Sequence, residues 1–248
     1  MNNAPVILSL ETATIGGSIA VARGAEVLAT RKGDAKVSHS NSLLSDINGC
    51  LQESGLKLAH IELFACASGP GSFTGLRIGI ATLKALAATL ERPCVGVPTL
   101  NAIAQGAGES KATVALLPAG RGEVFAQMFS VSRDELVELD NAAHLSPAKT
   151  IERYQAFPNL IWTGPGALVH RALLQDYAEQ HGITFGERTA QTCVDPNGWE
   201  VAQTSGPLVQ YVSILALRLF KAGQLQTAES LRAKYVRPSD AEINQTWQ

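Results

Sequence analysis

The chain has 248 residues, of which 46% are hydrophobic and 17% charged, with a formal net charge of −2. That much apolar material excludes a disordered chain and allows one large domain or two of ordinary size. The charge balance excludes a protein that grips nucleic acid alone, because each phosphate contact needs a nearby cation. The four cysteines, Cys50, Cys66, Cys94 and Cys193, form no CxxC pair. They read as small hydrophobes of a reducing compartment rather than a disulfide or zinc framework. The start, MNNAP, has no basic n-region, and the apolar run 6–10 is too short for a signal or a membrane span, so cytoplasmic residence is expected.

In chain order, VILSL (6–10), GSIAVA (17–22) and EVLATR (26–31) read as strands punctuated by Gly16-Gly17 and Arg23-Gly24. A helix is predicted over 40–54, where Leu43, Ile47 and Leu51 recur at i, i+4 and i+8 with Leu44 alongside. Ser38 or Ser40 is its expected cap, and Gly49 offers a point of close backbone approach. ELFACAS (62–68) is a strand, GPGSFTG (69–75) a sharp turn, the next helix runs to about Leu90, and CVGV (94–97) is another strand.

The second half repeats this β-β-β-α-β-α order. ATVALLP (112–118) and EVFAQMFS (123–130) form a hairpin around Gly120 and Gly122, and ELVELD (135–140) is a third strand. Ser146-Pro147 opens a helix, NLIWT (159–163) is a strand, and a Gly164-Pro165-Gly166 turn leads into a helix ending near Gln180. GPG between strand and helix at both 69–71 and 164–166 is the mark of two like lobes, 1–105 and 106–248. The segment 183–204 has no clear period and is expected as a loop; an apolar helix over 207–222 belongs to the second lobe unless it packs back on the first; the tail 231–248 is expected on the surface.

GPGSFTGLRIG (69–79) is the least ordinary string. Its glycines allow conformations or approaches that a Cβ forbids, so it is either a tight strand-to-helix turn or a cradle for an anion at a helix start. It is neither a P-loop nor a nucleophile elbow, which leaves Ser72 a weak nucleophile candidate. From Leu76 to Leu90 only Arg77, Thr82, Lys84 and Thr89 interrupt an apolar helix. A helix apolar all round must be covered all round, and a sheet covers one face; with 40–54 it is expected to form half of a helical interface. LETAT (10–14) places Glu11 and Thr12 at a strand end, where a polar turn and a Mg²⁺-phosphate site read alike. None of the five histidines stands four residues from another, so no catalytic metal is expected.

ILSLETAT with GSIAV, GPGSFTGLRIG, PCVGVPTLNAIA, RGEVFAQMF and the late YVRP together resemble the bacterial TsaB family, formerly YeaZ, across nearly the whole chain. The resemblance implies an α/β fold of two duplicated β-β-β-α-β-α lobes of the actin-like ATPase (ribonuclease H-like) type. It implies a non-catalytic scaffold subunit of the tRNA threonylcarbamoyladenosine complex. That subunit pairs with the catalytic subunit TsaD, or with itself when TsaD is absent, and is joined by the ATPase TsaE, with tRNA reached through the complex and no membrane partner. The pairing surface would use Leu43, Leu44, Ile47, Leu51, Phe73, Arg77, Ile80, Leu83 and Lys84. The family motif turn is Gly69, Pro70, Gly71, Ser72, Phe73, Thr74 and Gly75, and Glu11, Thr12, Gly164 and Gly166 mark a vestigial nucleotide site. No catalytic residue, metal or cofactor is implied, any ATP or ADP being held mainly by partners. Thr99 and Ile103 align with the metal-binding histidines of TsaD and cannot replace them. Pro118, Ala119 and Gly120 stand where many relatives carry Asp-Ala-Arg. The competing readings are an ATPase or kinase-like enzyme of the same fold and a glycoprotease-type peptidase.

Overall fold

The structure, a computed structural model, describes residues 4–34, 39–188 and 198–236. Cys193, the tail beyond 236, and the side chains of Ser38 and Ser40 proposed as helix cap lie outside the described residues. The elements fall into two compact units, one of residues up to Ala102 together with Gly206–Tyr235, the other Ile103–Ser205.

The first unit opens with β1 (Val6–Glu11), β2 (Ser18–Arg23) and β3 (Glu26–Lys32), then α1 (His39–Glu53), β4 (Leu63–Gly69), α2 (Phe73–Thr89), β5 (Cys94–Pro98) and α3 (Thr99–Gln105). Its sheet runs β3-β2-β1-β4-β5, with β1 antiparallel to β2 and parallel to β4. All six residues of β1 are buried, as a strand covered on both faces must be. Because side chains alternate, Val6, Leu8 and Leu10 point to one face, where Leu43, Ile47, Leu51, Ile80 and Leu83 of α1 and α2 close a core with Phe64 and Cys66.

The second unit holds β6 (Ser110–Gly120), β7 (Glu123–Val131), β8 (Leu136–Glu138), β9 (Ala143–Leu145), α4 (Pro147–Tyr154), β10 (Leu160–Thr163), α5 (Pro165–Val169), α6 (Arg171–Gln180), β11 (Thr184–Glu187) and β12 (Gly198–Ala202). Read from β8, its sheet runs β8-β7-β6-β10-β12-β11. That is the order of the first sheet with two strands added, β11 at the edge and β9, which pairs with β7 off this path, so the duplication is real in topology. Arg121 and Gly122, at φ 52° and 76°, make the two-residue hairpin turn between β6 and β7, both residues left-handed as such turns require. Ser146 caps α4 by accepting from Lys149 N, with Pro147 at the helix start. The core stacks Tyr154, Trp162 and Trp199 edge to face, the two tryptophans 5.1 Å apart.

Two expectations fail, and an alternative left open is decided. The segment 183–204 is not all loop: it carries β11 and β12, and β12 is buried throughout. Glu200 breaks its apolar run, and the sequence does not show that the Arg188 guanidinium sits 3.4 Å away to match that charge. Of the two placements open to the helix at 207–222, now α7 (Val209–Lys221), the structure has the second: it belongs to the first unit. It lies on the sheet face opposite α1 and α2, where Ser213 Oγ donates to Ser9 Oγ at 2.8 Å. The stretch from Leu231 is not simply superficial, since Leu231 is 1% exposed and completes the first core.

Candidate partner-docking face and strand-end turn

The unusual strings of the sequence meet at the carboxyl ends of β1 and β4. Gly69 and Gly71 take φ 113° and 155°, and the Gly69-Pro70 peptide is cis. Ser72 caps α2, its Oγ accepting from Gly75 N at 3.2 Å, while its own N–H donates to Ala13 O at 2.8 Å. A Cβ on Gly75 would stand 2.0 Å from Thr12 O, and one on Gly79 would stand 2.1 Å from Thr12 Oγ1. Gly75 and Gly79 are four residues apart, so they form one groove on α2, and Thr12 fills it. Glu11 is buried and accepts from Thr14 N at 2.8 Å and Thr14 Oγ1 at 2.6 Å, which closes the 11–14 turn. The two strings are therefore one internal contact: the first strand's exit turn seated on the second helix. Ser72 is spent as a cap. The signal that would have found the pairing is the Gly-x-x-x-Gly spacing inside GPGSFTGLRIG.

Glu11, Thr12, Ser18, Ser42 and Asp46 line a shallow cleft with about 210 Å³ of open space. In the second unit, Gly164 takes φ 91° and a Cβ there would lie 2.5 Å from Leu116 O; a Cβ on Gly166 would lie 2.9 Å from Leu116. Both glycines serve the close seating of α5 on β6.

The outward faces of α1 and α2 differ from expectation in a specific way. Leu43, Ile47 and Leu51 of α1, and Ile80 and Leu83 of α2, are all buried in the chain's own core rather than displayed on its surface. Lys84 is half-buried and donates from Nζ to Leu231 O at 3.3 Å. Gly49 does not admit another backbone: the Arg31 guanidinium crosses it on the way to Glu53, 2.8 Å from Arg31 Nη1. What remains outside is Leu44, 66% exposed, with Thr74, Arg77, Ala81, Ala85 and Ala88 exposed and Phe73 and Ile78 half-buried. The apolar-all-round pattern of α2 arises because its outer face is built of alanine, which counts as hydrophobic yet exposes little area.

The family described as TsaD, tRNA N6-adenosine threonylcarbamoyltransferase, has a model that matches residues 28–243. The chain belongs to the TsaD family. It is 37% identical over 122 residues to the tRNA threonylcarbamoyladenosine biosynthesis protein TsaB of Escherichia coli, covering 48% of this chain and 52% of that one. It is 33% identical over 123 residues to TsaB of Haemophilus influenzae, covering 48% and 51%. The chain thus spans about half the length of these curated relatives. In fold it is similar to YeaZ from Pseudomonas aeruginosa, with TM-score 0.70 and 24% identity over 93% of this chain and 99% of that one. The duplicated actin-like α/β architecture is shared with that structure.

Within this TsaD-family fold, Thr99 and Ile103 lie four residues apart on α3, the spacing of a helical ligand pair, and both are fully buried. A threonine hydroxyl and an isoleucine side chain are not metal ligands of imidazole type. Among the described residues no group of three His, Cys, Asp or Glu side chains gathers at one place. Cys50, Cys66 and Cys94 are buried free thiols. Burial pushes Cys50 up to about 11 and Cys66 up to about 12, so neither is a thiolate near neutral pH. No helix among the described residues is long and apolar enough to cross a membrane.

Proposed function

We propose that this chain is the non-catalytic partner subunit in tRNA threonylcarbamoyladenosine formation. It docks the outward faces of α1 and α2 on a TsaD-type catalytic subunit and stabilises that subunit's active arrangement. The observations that carry the reading are Leu44 of α1, two-thirds exposed, and an outer α2 face of small exposed side chains. An exposed leucine beside a smooth helix face lets a second helix approach closely and bury the leucine. Membership of the TsaD family, and the names of the TsaB relatives, supply the process. Thr99 and Ile103, where the resemblance places metal-binding histidines, support a role other than catalysis. On this reading TsaE joins the assembly, tRNA is reached through the complex, ATP or ADP is held mainly by the partners, and the same face pairs two copies when TsaD is absent.

The test is co-purification with the TsaD-type subunit of the same organism, followed by threonylcarbamoylation of tRNA with and without this chain. Association, and modification that depends on it, are expected. Full modification in its absence, or no association at micromolar concentrations, would remove the proposal. Tight binding and turnover of ATP-Mg²⁺ by the isolated chain would replace it with the ATPase reading.

A further inference from the structure

The exposed start of α2 carries a feature that helix packing alone does not require. The Arg77 guanidinium carbon lies 3.8 Å above the Phe73 ring centroid. The same ring also meets Tyr235, its centroid 5.2 Å away at an interplanar angle of 37°, and Tyr235 is 46% exposed. Arg77 is exposed and has no ion pair among the described residues. A guanidinium stacked on a ring keeps its edge N–H donors free while losing rotamer freedom, which suits it to a planar, bidentate acceptor.

Tyr235 is brought there by a strap with its own anchors. Gln226 pairs with Cys94 through two backbone hydrogen bonds of 2.9 and 2.8 Å, and its Oε1 accepts from Gly96 N at 2.8 Å. Leu231 is buried in the core, its carbonyl accepting from Lys84. Lys234 N donates to Ser68 O at 2.7 Å, and Lys234 O packs where a Cβ on Gly69 would stand, 2.3 Å away. The strap thus explains both the φ of Gly69 and the placing of the tyrosine.

We propose that Phe73, Arg77 and Tyr235 form one preorganised receptor for a carboxylate side chain carried on a helix of the partner subunit. This rests on the docking reading above and adds its polar anchor. A carboxylate is favoured over an RNA phosphate because the surrounding α2 face offers Thr74, Ile78, Ala81 and Ala85, which suit a helix, and Arg77 is the one exposed cation of α2, the exposed Arg232 and Lys234 lying on the strap. An arginine with two aromatic rings, once covered by a partner, has the composition of an interface hot spot.

The experiment measures affinity for the purified TsaD-type subunit at low and high salt, with melting curves to confirm that each variant is folded. Arg77→Gln should weaken binding by about 10- to 30-fold and flatten its salt dependence, because a screened charge pair has been removed. Arg77→Lys should recover only part, since the flat fork is lost. Tyr235→Ala should weaken binding several-fold with no change of charge. If Leu44→Asp abolishes binding and Arg77→Gln does not alter it, the receptor is refuted while the docking face stands. If Leu44→Asp binds as the parent does, the docking reading itself fails. If Arg77→Gln lowers tRNA retention by the assembled complex but leaves subunit affinity unchanged, the anion is a phosphate and the proposal is overturned.

Discussion

Three glycines lie inside the first two helices, and helix propensity treats them alike: replacing each by alanine should gain about 1 kcal/mol. The structure separates them. At Gly49 the new Cβ meets the end of Arg31, a flexible side chain that can swing aside at the cost of its ion pair with Glu53. An exposed pair is worth roughly 0–1 kcal/mol, so Gly49→Ala is expected to be neutral or mildly stabilising. At Gly75 the Cβ meets the backbone oxygen of Thr12 at 2.0 Å, against 3.4 Å for ordinary contact, a shortfall of about 1.4 Å. The 11–14 turn cannot retreat without straining its bonds to Glu11 and to Ser72 N. Overpacking of this kind costs roughly 1–3 kcal/mol and sometimes more, so Gly75→Ala should be destabilising despite its better propensity. Gly79→Ala meets only the Thr12 hydroxyl and methyl, so Thr12→Ala in the same chain should recover part of its loss, a coupling readable in a double-mutant cycle. Urea and thermal melts of the single and double variants measure this, at about 2–4 °C per kcal/mol for a chain of this size. If Gly75→Ala melts as high as Gly49→Ala, or if Thr12 and Gly79 prove additive, the internal-groove account of the motif is wrong.

Leu44→Asp should leave the melting temperature within about a degree or two of the parent, whereas Leu83→Asp, placing a charge in the core, should cost more than about 4 kcal/mol and abolish folding; equal effects would contradict the assignment of outside and inside. Asp140 accepts from Met128 N at 2.7 Å and Tyr154 Oη at 2.8 Å and pairs with Arg153 at 2.7 Å. Asp140→Ala should therefore lose roughly 2–4 kcal/mol and Tyr154→Phe about half as much, by chemical denaturation. Burial, then the Asp140 hydrogen bond and charge, raise Tyr154 far above the usual phenol range, so its ultraviolet ionisation signal should be missing until the second unit unfolds. Cys50 and Cys66 hold their protons to about 11 and about 12, whereas unfolded thiols ionise near 8.5. Their contribution is complete below pH 8.5 and falls as pH rises through 9–11, by up to about 1.4 kcal/mol per pH unit for each thiol. Denaturation midpoints at pH 8 and 10.5 should show a smaller drop in Cys66→Ala than in the parent.

Much of the fold could be read directly from pattern. The strands of the first lobe, the helices near 40–54 and 73–90, the two-residue turn at Arg121-Gly122 and the Ser146-Pro147 helix start are local features, set by side-chain period, φ preference and capping within a few residues. The repeated GPG was a sound guide to two lobes of one topology. β12 escaped because its Glu200 looks like a loop residue until Arg188, brought beside it by the fold, matches the charge. Chain order left α7 open between the two lobes, and its Ser213 with the valines and leucines of its buried face belong against β1 and its neighbours.

By itself the sequence determined most of the strands and helices, though not β11 and β12, that the pattern occurs twice, and that an unusual glycine-rich string joins β4 to α2. These follow from short-range stereochemistry and apolar spacing. Only the tertiary structure decided which apolar side chains face inward. Leu43, Ile47, Leu51, Ile80 and Leu83 proved to be core, while Leu44, Arg77 and a ring of Tyr235 proved to be surface. It also showed that Gly75 and Gly79 of the motif receive Thr12. Period reports that a face is apolar; what lies against that face depends on contacts between residues tens to hundreds of positions apart, and no local pattern encodes those.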